Sequence, residues 1–439
     1  MSMNRREFLA AGAASAVKVA SPQANRAARC LSMADVPYQR KDPRIAMVGV
    51  GGRGTVLLKN LLGADGKIVA ICDIVPDHAA RAQKLVVGSK QPSPELYTRG
   101  ERDFERLVQR DDIDLVIIAT PWRWHAPVAL AAMEHGKHAC MEVPGVLTVE
   151  DCWRIVHTSE KTRRHCTMLE NCCYGYNETL VLRLAQAGKF GELLWGEGAY
   201  LHDLREILFA DEGEGLWRRT EHTLQNGNLY PTHGLGPVAN YMDINRGDTF
   251  SHIVSMSSIE RGLSDYRKDH VPAGNPKWNE RYKEGDFNIS LIKTARGRTI
   301  TVKHDTSNPM VYSRVNALGG TKGLFMDYPP RIFLDGQKGG EEWANLDGFK
   351  EHEHPLWKSM GDIAKKLGGH GGMDFIMLFR LLECFRNGRA PDIDVYDTAL
   401  WSSVVPLSIA SVSQGSAPQR FPEFLPGDGK GRKPNPIGS

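Results

Sequence analysis

His233 and Tyr230 share the stretch Gly227-Asn228-Leu229-Tyr230-Pro231-Thr232-His233-Gly234. Together they offer an imidazole that can carry a proton near neutral pH and a phenol that can hydrogen-bond a polar ligand. A second acid–base candidate, Tyr174, closes Glu170-Asn171-Cys172-Cys173-Tyr174, just after a predicted strand over residues 166–169. Tyr200, in Tyr200-Leu201-His202-Asp203, Arg218 beside Trp217, and Tyr312 add phenolic and guanidinium groups of the kind that hold sugars by hydrogen bonds and stacking. Glu142, in Glu142-Val143-Pro144, is a carboxylate able to bind a ribose or to take a proton.

The most specific chemical signal is a turn. Val48-Gly49-Val50-Gly51-Gly52-Arg53-Gly54 follows the apolar run Ile45-Ala46-Met47, and a second short run leads to Asp73. Gly49 permits the tight turn, Gly51 lets the backbone approach a pyrophosphate, and Gly54 lets the next helix pack on the strand with its N-terminus facing the anion. A carboxylate closing the second strand accepts both ribose hydroxyls and repels a 2′-phosphate, so the expected cofactor is NAD rather than NADP. Thr120-Pro121-Trp122-Arg123-Trp124-His125 follows another predicted strand, at the carboxyl edge where such sheets bind ligands. It reads as a wall against the cofactor, with His125 starting a helix.

The elements that must position these groups fall into two textures. Strands are predicted over residues 45–48, 68–72, 115–119 and 138–141, with helices over 103–109 and 126–135, the alternation of a doubly wound parallel sheet. Gly136 ends the second of these helices as a C-cap. After Asn171 come longer polar loops and alternating runs over 290–294 and 299–304 that read as antiparallel strands. The fold class is therefore α/β: an N-terminal Rossmann-type doubly wound parallel sheet followed by a C-terminal α+β domain on a largely antiparallel sheet. The nucleotide domain spans residues 42–168 and the substrate domain 169–414. Residues 262–284 read as a long loop, and 415–439, with its prolines, as an irregular tail.

Bulk properties narrow the function further. A chain of 439 residues suggests two domains plus extensions, and its net charge of +3 gives no electrostatic footprint for nucleic acid. No run of about 18 apolar residues is present to span a bilayer. Residues 1–31 resemble a twin-arginine export signal: Asn4-Arg5-Arg6-Glu7-Phe8-Leu9 precedes a small-residue, mildly apolar stretch from Ala10 to Val17. Such signals export folded proteins, so the expected location is periplasmic or secreted; the alternative is a cytosolic tail on a cytoplasmic protein. The eight cysteines do not fall at metal-ligand spacings, and no metal is expected.

In Gly49 to Gly54, Asp73, Thr120-Pro121 with His125, and Gly136-Lys137-His138 leading to Glu142-Val143-Pro144, the first half resembles the glucose-fructose oxidoreductase/inositol dehydrogenase/MocA family of NAD(P)-dependent enzymes. That family usually has Glu-Lys-Pro where this chain has Glu142-Val143-Pro144. Leu229 likewise replaces the aspartate of its Asp-x-x-x-His pattern, with His233 retained. These departures resemble one branch, glycoside hydrolase family 109, whose members act as α-N-acetylgalactosaminidases. Trp122 to His125, Glu170 to Tyr174, the stretch from Asn226 to Pro237, Tyr241 to Gly247 and Asp394 to Ser402 carry the likeness along nearly all of the mature chain.

The resemblance implies cofactor contacts at Gly52, Arg53, Asp73, Trp122, Arg123, Trp124, His125, Glu142, Val143 and Asn171. It implies substrate contacts at Tyr200, Arg218, Tyr230, Pro231, Thr232, His233 and Tyr312. The implied reaction is hydrolysis of terminal α-linked N-acetylgalactosamine on a glycan or small glycoside, through oxidation, elimination, addition and reduction with no net redox change. His233 and Tyr174 are the candidates for its proton transfers, with Tyr230 and Glu142 in reserve. The alternatives are an NAD-dependent sugar or polyol dehydrogenase, against which the missing lysine argues, and a non-catalytic NAD- and carbohydrate-binding protein. Each is compatible with a homo-oligomer.

Overall fold

The computed structural model describes residues 31–337 and 342–438. The segment read as an export signal lies outside the described residues but for Leu31, as does Cys30. Six parallel strands form the first sheet: β1 (Arg44–Val48), β2 (Lys67–Cys72), β3 (Glu95–Tyr97), β4 (Leu115–Ile118), β5 (His138–Met141) and β6 (Cys166–Met168). Their order is β3-β2-β1-β4-β5-β6. Both β4 and β5 are buried along their whole length, which is why β4 reads as an unbroken apolar run rather than an alternating one. The chain runs outward from β1 to β3, then returns to fill β4 to β6. This reversal opens a crevice between the carboxyl ends of β1 and β4, the place where doubly wound sheets take ligands. Helix α1 (Gly52–Gly63) starts at that edge, and α2 (His125–Glu134) starts beside it and ends before Gly136, whose φ is +76°.

The second sheet has eight strands in the order β13-β12-β11-β7-β10-β9-β8-β14. They are β7 (Leu193–Leu201), β8 (Phe250–Ser257), β9 (Asn288–Thr294), β10 (Thr299–Asp305), β11 (Ala317–Gly320), β12 (Gly323–Met326), β13 (Arg331–Leu334) and β14 (Gln419–Arg420). All of its strand pairs are antiparallel except β7 with β10, which run parallel and set Tyr200 beside His304. Burial alternates along β9 and β10, so one face is covered. Helix α3 (Thr232–Tyr241) covers it at β7, and the two backbones nearly touch. A Cβ on Gly198 would meet Gly234 O at 2.2 Å, and one on Gly234 would meet Ala199 N at 2.2 Å. Only glycine at both positions permits this crossing, which seats His233 against Tyr200.

Three features depart from the sequence reading. Residues 262–284 begin with a helix, Gly262–His270, rather than a loop. Its Asp265 lies in the first turn, Arg267, Lys268 and His270 lie in the last, and Tyr266 stacks on His270 at 3.8 Å, so local charge order and an i,i+4 contact outweigh its polar composition. The stretch 415–439 is not merely irregular, because β14 pairs with β8, Arg432 bonds Asp394 at 2.8 Å, and Asn435 bonds Asn240 at 2.7 Å. Finally, the helices late in the chain return to the first sheet. Helix α4 (Met373–Asn387) packs on α1, and α5 (Val395–Ser402) lies against β6, where Met168 N donates to Thr398 Oγ1 at 3.0 Å.

Behind Tyr200, Glu284 sits between two histidines, none of the three side chains more than 3% exposed. His304 Nδ1 is 3.1 Å from Glu284 Oε1, and His222 pairs with Oε2. Burial alone would push this carboxyl up, yet the two imidazoles outweigh it and hold it down at about 2, against an ordinary 4.5. A depressed carboxyl contributes stability that is fully present above its unfolded value and is lost as pH falls through its folded value, here roughly 3 kcal/mol. Glu284→Gln is therefore expected to lower the urea midpoint at pH 6, with the gap to wild type narrowing as pH drops below about 4.5. A gap that stays constant with pH would contradict this assignment.

Candidate active site

The turn at the β1 edge is built to hold a dinucleotide. Gly49 has φ +84°, and a Cβ there would meet Ala119 O at 2.6 Å. A Cβ on Gly54 would meet Gly49 O at 2.0 Å, whereas one on Gly52 would meet nothing within 4 Å. Helix α1 has no side-chain cap and no acidic residue in its first turn, which leaves its N-terminal N–H groups for an anion. Asp73 Oδ2 accepts from Val50 N at 2.7 Å and Oδ1 from Val75 N at 2.8 Å, so the carboxylate at the end of β2 also fixes the shape of the turn. The residues present fit an NAD pyrophosphate and ribose.

Three of the expected cofactor residues meet at one point. Arg53 Nε donates to Glu142 Oε1 at 2.7 Å, while its Nη1 and Nη2 reach Asp374 at 2.6 and 3.0 Å. Asn171 Nδ2 donates to Asp374 Oδ1 at 2.7 Å, and His370 Nδ1 lies 2.9 Å from Oδ2. Burial pushes the Glu142 carboxyl up, against the pull of Arg53, while Asp374 is held well below the usual carboxylate range because His370 and Arg53 outweigh its burial. Sequence reasoning missed Asp374 and His370. The signal that could have found them is the run Gly368-Gly369-His370-Gly371-Gly372 ahead of an apolar helix.

The Trp122 loop divides its side chains. Trp122 turns toward the second half of the chain, Trp124 packs edge-on against Phe104 at 6.0 Å, and Arg123 is exposed, 3.9 Å from Glu221. His125 is fully buried, its ring nitrogens 3.0 Å from Pro144 O and Thr120 O. Burial lowers its basicity, so the neutral ring, with a single N–H, donates to one of these two carbonyls. Val143 is buried beside Glu142.

The expected sugar-binding residues form one aromatic cluster around a guanidinium. Tyr230 lies 5.6 Å from Trp122 and 4.6 Å from Tyr200, and Trp217 meets Trp122 edge-on at 5.2 Å. Tyr312 joins through His202 at 4.9 Å, and His202 Nδ1 is 3.0 Å from Tyr200 Oη. Arg218 stands 4.8 Å from the Tyr230 ring and 5.2 Å from Trp122. Its Nη1 is paired with Glu214 at 2.5 Å, while Nη2 is buried with no hydrogen-bond partner among the described residues. A buried donor in that state is ready for a ligand oxygen. Burial raises both the Tyr200 and Tyr230 phenols, which therefore stay protonated and act as donors rather than bases.

At the floor of the cluster, Pro231 and Thr232 lead into α3, and His233 faces Tyr230 and Tyr200 at 4.9 and 5.4 Å. His233 Nδ1 is 2.7 Å from Oε1 of Glu170, a side chain with no exposure. Burial would raise the Glu170 carboxyl, but the imidazole outweighs it and lowers it, so Glu170 is ionised and accepts from Nδ1–H. That leaves Nε2 as the acceptor able to take a proton. Tyr174 is not part of this arrangement. Its hydroxyl donates to Asp392 at 3.3 Å, and Asp392 is paired with Arg380 at 3.0 Å. Burial and the nearby Asp392 raise the phenol well above its ordinary value, which keeps it protonated. The short turn Asn171–Tyr174 sends Asn171 toward Asp374 and Tyr174 into the core.

Folding also gathers Glu170, Cys172 and His233, whose donor atoms lie within 4.8 Å of one another, a grouping that linear spacing did not reveal. Two of the three are bonded to each other, and Arg314 Nη1 lies 3.4 Å from Cys172 Sγ, where its charge opposes a cation.

Residues 43–169 match the model of an oxidoreductase family with an NAD-binding Rossmann fold, and residues 174–430 match the C-terminal domain of glycosyl hydrolase 109. The two matches flank the turn that carries Glu170 and Asn171. A glycosyl hydrolase family 109 protein of Solibacter usitatus is 54% identical over 408 residues, spanning 92% of this chain and 93% of that protein. One from Saccharopolyspora erythraea is 51% identical, over 92% and 88%. Among solved structures, levoglucosan dehydrogenase in complex with NADH and levoglucosan has a TM-score of 0.63 at 18% identity, covering 87% of this chain and 100% of that one. An oxidoreductase domain protein from Kribbella flavida has a TM-score of 0.67 at 16% identity, over 89% and 100%. At such identities the likeness is one of fold. Closer kinship follows from the sequence matches, which cover both halves of the molecule, and on them the chain belongs to glycosyl hydrolase family 109, as a glycoside hydrolase built on an NAD-binding Rossmann domain.

Proposed function

We propose that this protein hydrolyses terminal α-linked N-acetylgalactosamine by a redox-neutral cycle. The observation that carries the reading is His233, oriented by buried Glu170 below an aromatic cluster that also contains Trp122 from the cofactor edge. Bound NAD supplies reversible oxidation at a sugar carbon, which makes the neighbouring C–H acidic. His233 Nε2 takes that proton, Glu170 stabilises the resulting imidazolium, and the protonated phenols of Tyr200 and Tyr230 with the free Nη2 of Arg218 hold ring oxygens. Val143, in place of the lysine usual in dehydrogenase relatives, removes the ammonium that would serve simple alcohol oxidation and favours this reading over a dehydrogenase. Export through the twin-arginine route belongs to the same proposal, since a folded protein would carry its NAD with it.

Incubation with aryl glycosides of α-GalNAc and α-galactose, with and without added NAD, tests the assignment. Aryl release from the GalNAc compound without accumulating NADH absorbance is expected. Stoichiometric NADH would point instead to a dehydrogenase, and neither signal to a binding protein.

A further inference from the structure

We propose that Asp374, assisted by His370, is a positioning residue of the NAD site, supplied by the helix Met373–Asn387 from the far end of the chain. Arg53 follows the glycine turn directly, Glu142 follows β5 and Asn171 follows β6, so all three stand at the carboxyl edge of the parallel sheet. Arg53 lies in the first turn of α1, and the other two lie in the turns after their strands. Asp374 ties two of them together: both of its oxygens accept from Arg53, Oδ1 also accepts from Asn171, and Oδ2 bonds His370. With Glu142 taking Nε, the Arg53 guanidinium is held on three sides, and its orientation beside Gly51 and Gly52 is set by residues remote in sequence.

Asp374 has no solvent exposure, and an unpaired carboxylate there would be costly. Its place in the first turn of α4 and its convergent donors make the ionised form favourable. The loop before it is shaped for this contact. Gly368, Gly369, His370, Gly371 and Gly372 all have positive φ, between 48° and 100°. A Cβ on Gly369 would come within 2.6 Å of Asp374 Oδ2 and 3.1 Å of Asn60 Nδ2, so the loop lies tightly between the carboxylate and α1. The nucleotide pocket is thus completed by a segment some three hundred residues downstream of the turn that begins it.

The test is the rate at which the NAD-loaded protein releases its nucleotide after dilution, measured by filtering off free NAD over time. It needs no sugar, so it reads the clamp whether or not the glycan assignment holds. Folded Asp374→Asn is expected to release NAD about tenfold faster or more, as for loss of a charged hydrogen-bond partner. It should also show a smaller NAD-induced rise in urea midpoint, which a purely structural defect would leave unchanged. A wild-type release rate in folded Asp374→Asn overturns the proposal. If that variant does not fold, His370→Ala decides, since its side chain is about half exposed and its loss leaves the core intact. Release about threefold faster is then expected on loss of one hydrogen bond, and an unchanged rate overturns the proposal equally.

Discussion

His233→Ala is expected to lower cleavage of an α-GalNAc aryl glycoside by roughly 10²- to 10⁴-fold while leaving NAD content and fold unchanged. The separation follows from position. His233 lies on α3 under Tyr200 and Tyr230, whereas the groups that fit the nucleotide lie on the turn after β1, after β5 and after β6, joined through Asp374. Glu170→Gln should lose activity too, because Gln cannot offer Nδ1–H the charged acceptor that stabilises an imidazolium. The two changes should not add: in the His233→Ala background, Glu170→Gln has no proton carrier left to orient and costs little more. Full additivity, or near wild-type cleavage by folded His233→Ala, would remove His233 from the proton-transfer role.

How much of this was legible beforehand depended on how local each signal was. The glycine turn, Asp73 and the parallel strands were readable because strand, turn and helix N-terminus are adjacent in sequence, and each glycine answers a backbone demand. The aromatic cluster around Arg218 was readable only as scattered aromatic and basic residues. Its assembly rests on the Gly198 and Gly234 crossing, which is invisible until strand and helix are seen to touch. Tyr174 stands apart from His233 although its motif is contiguous with Asn171, and nothing in a linear motif says that within a single turn one side chain bonds Asp374 and the other Asp392. Asp374 and His370 were missed for the converse reason, since their partners are distant and their own neighbourhood reads as a helix start. The helix at Gly262–His270 was missed because composition was weighed above charge order.

The glycine turn itself supports the second large effect, because Gly54 and Gly52 have separable tasks. A methyl on Gly54 would sit 2.0 Å from Gly49 O and 2.8 Å from Gly49 C, backbone atoms that cannot rotate away. Gly49 cannot retreat either, since it is itself at φ +84° and packed on Ala119. Gly54→Ala must therefore push α1 off the sheet, at a cost of roughly 1–3 kcal/mol or more, and tilt the N–H groups that cradle the pyrophosphate. Reduced urea midpoint and near-complete loss of bound NAD are expected together. Gly52 differs: its Cβ would meet no protein atom within 4 Å, and alanine is the better helix former, so Gly52→Ala should leave stability equal or higher. The added methyl would instead stand at the first helical residue, next to Gly51 where the pyrophosphate comes closest, so NAD affinity should fall with no loss of stability. If Gly52→Ala bound NAD as tightly as wild type, the pyrophosphate would not pass over Gly52, and its approach would rest on Gly51 alone.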